Sequence, residues 1–313
     1  MTAIRVNVDN FARAETARML AAMQTQAGGV NQWNHSRGPT PLDRQTVIRM
    51  NRDTFYSMAV VDLAEGATLV MPDAGSRYMS AMVVNENHHL PVVIHGEGEH
   101  HLSEKELGSR YVLVGVRTLA NPTDAQDVAA VNALQDQLRL TAASSVAFQS
   151  DDYDGITLDA TREGLLELAK GLGGFEHAFG APDAVDPIRH LIGTASGWGG
   201  LPEQEAYYVN VNPGLPVGEY RLTVRDVPVD GFWSISLYNE AGFFEPGGTV
   251  SVNNLTATRD PDGSISVHFG GCADGRPNCL PIMEGWNYVV RLYRPRPEIL
   301  DGSWSFPEVT AYV

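Results

Sequence analysis

The stretch VVNENHHLPVVIHGEGEHHL, residues 83–102, holds five of the chain's nine histidines. Imidazole ligates metals and is the side chain most easily tuned for proton transfer, so three readings arise: a metal site, an acid–base centre, or a solvated turn. A metal site needs ligands converging from rigid elements, which adjacency along one segment does not supply. The preceding run RYMSAMVV alternates as a strand and ends at Val84, delivering Asn85 and Glu86 to a sheet rim with His88 just beyond. A histidine beside a carboxylate there suits general-base catalysis, which makes Glu86 and His88 the candidate catalytic pair; a rim hydrogen-bond network is the structural alternative. After Pro91, PVVIH and EHHL flank the turn HGEGE and read as a hairpin setting His95 against Glu99, His100 or His101. Those histidines are expected to decorate the hairpin, and no metal ligands are assigned. A metal-dependent centre on His88 needs His35 or His268 brought in by the fold.

A second constellation is VIRMNRDTFYS. Read as a strand, it sets Val47, Arg49 and Asn51 on one face and Ile48, Met50 and Arg52 on the other. One arginine then points inward, where it needs a carboxylate. Asp53 is the internal partner, and a carboxylated ligand is the external one. Arg49, Asn51 and Arg52 are therefore candidate substrate anchors, with Asn85 beside the catalytic pair; Asp53 and Tyr56 are candidate orienting or proton-donating groups. Upstream, NQWNHSRGPTP carries Trp33, Asn34, His35 and Arg37 on a connector without strand or helix signals, placed to close over a pocket. In SGWGGLP, Trp198 is free to stack on a sugar or aromatic ring, whereas Trp233 and Trp286 lie in strands and read as core. No GxSxG elbow, P-loop, GxGxxG after a strand, or HExxH occurs, so no cofactor is assigned.

These groups must be positioned by a mainly β chain. NFARAETARMLAAMQT has apolar positions at helical spacing and predicts an N-terminal helix. From residue 45 short alternating runs follow, separated by Gly, Pro, Asp and Asn: TVIRMN, YSMAVVDL, ATLVM, RYMSAMVV, PVVIH and RYVLVGVRTL. NPTDAQDVAAVNALQDQLRL and TLDATREGLLELAKGL predict helices, and strands resume from AYYVNV onward. The strand-rich halves resemble each other. DAGSRYMSAMVVNE aligns with DVPVDGFWSISLYNE, and YVLVGVRT with YVVRLYRP, matching Tyr111 to Tyr288 and Arg117 to Arg294. The expectation is two jelly-roll-like antiparallel β-sandwich domains related by an internal duplication, at 30–120 and 200–313, with a helix over 1–29 and a helical insert over 121–199.

NHSRGPTPLDRQTVIRMNRDTFYS and YMSAMVVNENH resemble the DUF1254 half of a bacterial two-domain family of unknown function. VDGFWSISLYNEAGFFEP, VSVNNLT and the run from FGGCADGRPNCLP to DGSW resemble its DUF1214 half. The resemblance implies two jelly-roll-like domains and exported relatives, and supplies no general activity. Of the histidine-rich stretch, Asn85, Glu86 and His88 fit the family pattern; His95, His100 and His101 do not.

A formal charge of −16 and a pI near 4.9 argue against nucleic acid and against an anionic membrane surface. No apolar run is long enough to span a bilayer, and the N-terminus has no basic-then-apolar leader, so the expected location is the cytoplasm. The two cysteines, Cys272 and Cys279, enclose a turn-rich loop and are expected as free thiols, a short disulfide being the alternative. The expected function is an acid–base hydrolase or lyase acting on a small polar or carboxylated molecule. The competing reading is a non-catalytic module binding carbohydrate or another small ligand. Paired β domains with exposed sheet faces also suit a homo-oligomer.

Overall fold

The computed structural model describes residues 3–45 and 48–312. The chain divides into two compact units: Met1–Arg37, Phe55–Leu119 and Ala129–Pro202 form the first, and Gly38–Thr54, Ala120–Val128 and Glu203–Val313 the second. Sixteen strands occur among the described residues, all paired antiparallel except one, and no sheet closes into a barrel.

The chain begins with α1 (Phe11–Ala27), ended by Gly28 at φ 83, a left-handed turn that glycine adopts without a Cβ penalty. Then come β1 (Asn34–His35), β2 (Thr54–Asp62), β3 (Ala67–Met71), β4 (Met79–Asn85), β5 (Val92–His95), β6 (Gly98–Leu102), α2 (Glu104–Leu107), β7 (Tyr111–Leu119), α3 (Ala125–Gln135), β8 (Arg139–Ala142), α4 (Gly155–Ala169) and α5 (Pro187–Ser196). One sheet of the first unit runs β1-β2-β7-β4-β5 and the other β6-β3-β8. Alternation along β4 and β7 turns Met79, Ala81, Val83, Val112, Val114 and Val116 into a core shared with Leu69 and Met71 of β3. Their other face, with Ser80, Met82 and Arg117, is buried as well. Three helices gather separately: Phe11 and Ala14 of α1 pack with Leu158 and Leu165 of α4 and Ile192 of α5.

The second unit comprises β9 (Ala206–Val211), β10 (Tyr220–Val224), β11 (Trp233–Tyr238), β12 (Ser251–Asn253), β13 (Ile265–Phe269), β14 (Cys279–Leu280), β15 (Asn287–Tyr293), α6 (Pro297–Leu300) and β16 (Thr310–Ala311). Its sheets run β12-β11-β15-β9 and β14-β13-β10-β16, and residues from both form one core around Trp233, Trp286, Phe269 and Tyr288. Trp233 in β11 is a core residue, and so is Trp286, which lies just before β15 rather than in a strand.

Several expectations change. HGEGE is not a hairpin turn: β5 pairs with β4 in one sheet and β6 with β3 in the other, so the glycines carry the chain across the sandwich. His95, His100 and His101 thus lie on two different sheets. TVIRMN is no strand where it is described: Ile48 and Arg49 form a turn with Arg49 at φ 51, and Val47 lies outside the described residues. Asn34 and His35, read as connector, pair with Met58 and Ser57. The end of the second predicted helix, around Leu140, is strand β8, which pairs with β3. Ser80 of β4 faces Arg117 of β7, and in the second unit a serine likewise faces an arginine, Ser234 opposite Arg291. Finally, Cys272 and Cys279 form a disulfide with Cα atoms 5.5 Å apart. The intervening turn brings them within bridging distance, which overturns the free-thiol expectation.

Candidate functional site

In the first unit, β4 ends in a tight turn shaped by Asn85. Its Oδ1 accepts from the backbone N–H groups of Asn87 and His89, both at 3.0 Å, and its Nδ2 donates to Leu107 O at 3.0 Å. The turn holds His88 at φ 64 and sends its ring into the interior, where it is 0% exposed. The Gly199 N–H donates to His88 Nε2 at 2.8 Å. That nitrogen is therefore unprotonated, and Nδ1–H donates to Thr194 Oγ1 at 2.7 Å. The Thr194 hydroxyl in turn donates to His190 O at 2.8 Å. Trp198 and His190 stack on the ring, with centroids at 5.3 and 5.5 Å, and Phe179 meets it edge-on. Burial, reinforced by neighbouring His190 and His89, pushes the His88 pKa well below 6.5. The neutral ring has both nitrogens engaged and no solvent path.

Glu86 is equally committed. Its carboxylate accepts from Tyr111 N–H at 3.0 Å and ion-pairs with Arg13, while its own N–H donates to Ser109. One face of half-buried Trp198 stacks on His88, and its Nε1–H donates to Thr16 Oγ1 at 3.1 Å. Acid–base catalysis by Glu86 and His88 thus finds no support in this geometry: the residues are brought together, as a bonded core.

The remaining first-unit candidates lie in two other places. His35 bonds Ser57 at 2.8 Å and stacks near Trp33. Burial first, then the Arg37 charge, lowers its pKa. Arg37 ion-pairs with Asp136 at 2.6 Å and donates to Asn132 O beyond the end of β1, an exposed tether rather than a lid latch. Tyr56 lies under the Arg117 guanidinium at 5.5 Å, and Arg117 donates to Gly199 O at 2.9 Å. Among the described residues, no three His, Cys, Asp or Glu side chains come together as a metal set.

In the second unit, residues 48–53 lie against the polar face of β11 and β15. Arg291, 3% exposed, donates to Ser236 Oγ, Tyr238 Oη and the Arg49 carbonyl at 2.7–2.8 Å. Asp53 does not pair with Arg49 or Arg52. It accepts from Ser234 Oγ at 2.6 Å and Asn253 Nδ2 at 3.1 Å, and its charge supports buried Arg291. Its sequence neighbours point elsewhere: Asn51 donates to Tyr293 Oη at 2.8 Å and Arg49 donates to Asn210.

Arg52 is placed differently. Its guanidinium sits over the Phe244 ring at 6.0 Å and donates from Nη1 to Thr40 O. No carboxylate meets it among the described residues, and burial lowers its pKa. It walls a pocket of about 580 Å³ that is also lined by Thr123, Thr249, Ser251, Thr258 and Asn278. Arg52 is the only charged residue among the described residues lining it. The hydroxyls of Thr249, Ser251 and Thr258 have no partner among the described residues, so this wall offers a cation and three spare hydroxyls. The volume lies within the ordinary range of ligand pockets, roughly 300–1,000 Å³.

His190, Thr194 and Arg291 escape a reading for site residues. The Asp-Pro start at Asp186 and Pro187 was a legible helix signal for α5, with Asp186 Oδ1 capping Ile188 and Arg189. Nothing local announced that α5 would meet His88.

A tandem of two-sheet β units, each with a buried arginine facing serine across neighbouring strands, defines the class of the protein. The chain belongs to the family that joins a DUF1254 half to a DUF1214 half: the protein of unknown function DUF1254 matches residues 30–101, and the protein of unknown function DUF1214 matches 213–297. The crystal structure of the VPA0106 protein from Vibrio parahaemolyticus shares the fold at 16% identity, with a TM-score of 0.74 over 98% of both chains. An uncharacterized protein from Burkholderia cenocepacia is 13% identical, with a TM-score of 0.53 over 97% of this chain and 88% of that one. No curated protein matches the chain.

Proposed function

We propose that the protein is a binding module for a small oxyanion, a carboxylate or phosphate, taken up at Arg52 in the second unit. The observation that carries this reading is a partly buried guanidinium without a counter-charge among the described residues, in a pocket whose other polar groups are mostly hydroxyls. Burying a cation costs free energy unless it is paired, and the lowered pKa expresses that cost. An anion in the pocket offsets it. Phe244 and the Thr40 carbonyl fix the plane of the guanidinium, and its remaining N–H donors suit two-point recognition of an oxyanion. The overall charge of −16 repels anions at long range, but salt screens that effect over about 10 Å. Binding is favoured over turnover because Glu86, His88 and Asp53 are all held in internal hydrogen bonds. The test is a thermal-shift screen of malonate, citrate and inorganic phosphate against the protein and its Arg52→Gln variant. Stabilisation of the parent alone supports the reading, and equal shifts in both reject it.

The finer architecture belongs to the same proposal. The strands β2 to β8, taken in order, pair as β2-β7-β4-β5 and β6-β3-β8; the second unit repeats this with β9-β15-β11-β12 and β13-β10-β16. This correspondence, strand for strand, supports an internal duplication. Second-seventh-fourth-fifth and sixth-third-eighth is also a jelly-roll order lacking its first strand, since β1 joins β2 in the other sheet.

A further inference from the structure

The second sandwich contains space that its own side chains do not fill. The register pairs Leu292 with Tyr207, Val290 with Val209 and Tyr288 with Val211, so these six share the inner face of β15 and β9. Ile299, Trp304, Phe306 and Val309, from the chain after β15, line the same space. A pocket of about 690 Å³, open to solvent on one side, lies here. That volume, with a largely aromatic and aliphatic wall, falls within the ordinary range of ligand sites. A second observation points inward. Tyr288 lines the pocket with its ring 1% exposed, and its hydroxyl, which bonds no group among the described residues, opens onto that space. Burial, with the Glu308 charge adding to it, pushes this phenol up to about 12, so it remains a neutral O–H donor.

We infer that this pocket is a second binding site, for an uncharged, ring-bearing small molecule whose carbonyl or ether oxygen accepts from the Tyr288 hydroxyl. Tyr207, Trp304 and Phe306 supply ring faces for stacking, and the valines supply the apolar floor. Glu308, exposed on the wall, disfavours anions, which sets this site apart from the one at Arg52.

The experiment titrates the full chain with 6-propionyl-2-(dimethylamino)naphthalene, an uncharged two-ring ketone whose emission shifts to the blue in apolar surroundings. Saturable one-to-one binding is expected. Val209→Phe and Val290→Phe, which fill the space, are expected to weaken it at least tenfold, and Tyr288→Phe about three- to tenfold, while Arg52→Gln leaves it unchanged. Absence of saturable binding to the parent protein overturns the inference. So does undiminished binding by either filling variant with the parent's circular dichroism. If neither filling variant folds, Tyr288→Phe decides, because it removes one oxygen and leaves the packing: undiminished affinity for the ketone then rejects the site.

Discussion

Replacing His88 by alanine separates a structural histidine from a catalytic one. The ring is 0% exposed and packed between Trp198, His190 and Phe179. Truncating a buried aromatic ring to a methyl costs about 3–5 kcal/mol in lost transfer and cavity terms. The Gly199 N–H loses its acceptor as well, and a stranded buried donor costs about 1–3 kcal/mol. Thr194 loses less, because it keeps its bond to His190 O. Partial collapse and entry of a water recover part of the sum, leaving an expected loss of about 4–6 kcal/mol, a large share of the roughly 5–15 kcal/mol typical of a folded protein. The assay is equilibrium urea unfolding of parent and variant followed by fluorescence and circular dichroism, comparing midpoints at a shared slope. His88→Asn, which tolerates the positive φ and keeps polar atoms, is expected to lose less. A loss below about 1 kcal/mol for alanine, with the slope unchanged, would refute this reasoning and restore His88 as a functional rather than a packing residue.

Other outcomes follow from the same structure. Burial holds the pKa of both His88 and His89 below 6.5 in the fold, His89 at about 4, whereas the unfolded chain titrates near 6.5. The unfolded state therefore binds more protons between about pH 4 and 6.5; the stabilisation is complete above that window and lost as pH falls through it. The slope is at most about 1.4 kcal/mol per pH unit for His88 and less for the partly exposed His89, so urea midpoints should drop from pH 7 to pH 5; a flat profile contradicts the neutral buried ring. Asp53→Ala strands Ser234 and Asn253 and removes a counter-charge from buried Arg291, for an expected loss of about 3–5 kcal/mol in the same unfolding assay. A surface-like loss under 1 kcal/mol would mean that Asp53 does not hold this face together.

What the sequence displayed was local. The strand alternation of RYMSAMVV and WNYVVRLY, and the helix formers of α1, act through neighbours a few residues away, and the structure has these elements near where the pattern sets them. What it hid was the choice of partner. A glycine turn such as HGEGE serves a hairpin or a crossing between sheets, and only the pairing of β5 with β4 and β6 with β3 decides. Asp53 looks like the partner of Arg52 because they are adjacent. Its real partners, Ser234 and Asn253, are 181 and 200 residues away and reach it through tertiary packing. The same distance conceals Thr194 and Gly199 from His88, so a residue that reads as a reactive rim histidine is a buried one. Arg52 stood out in the sequence because its chemistry sets it apart from the apolar neighbours; that no carboxylate meets it among the described residues was visible only in the fold.

The measurement that tests the central claim most directly is calorimetric titration of the protein with malonate and with inorganic phosphate, alongside Arg52→Gln checked for parent-like circular dichroism. A guanidinium's charge-assisted bonds contribute about 1.5–3 kcal/mol, so one-to-one binding by at least one of the two anions is expected, weakened roughly ten- to a hundredfold in the variant and reduced by added salt. Failure of both anions to bind the parent, or equal affinity of parent and variant, contradicts the assignment of Arg52 as an oxyanion anchor.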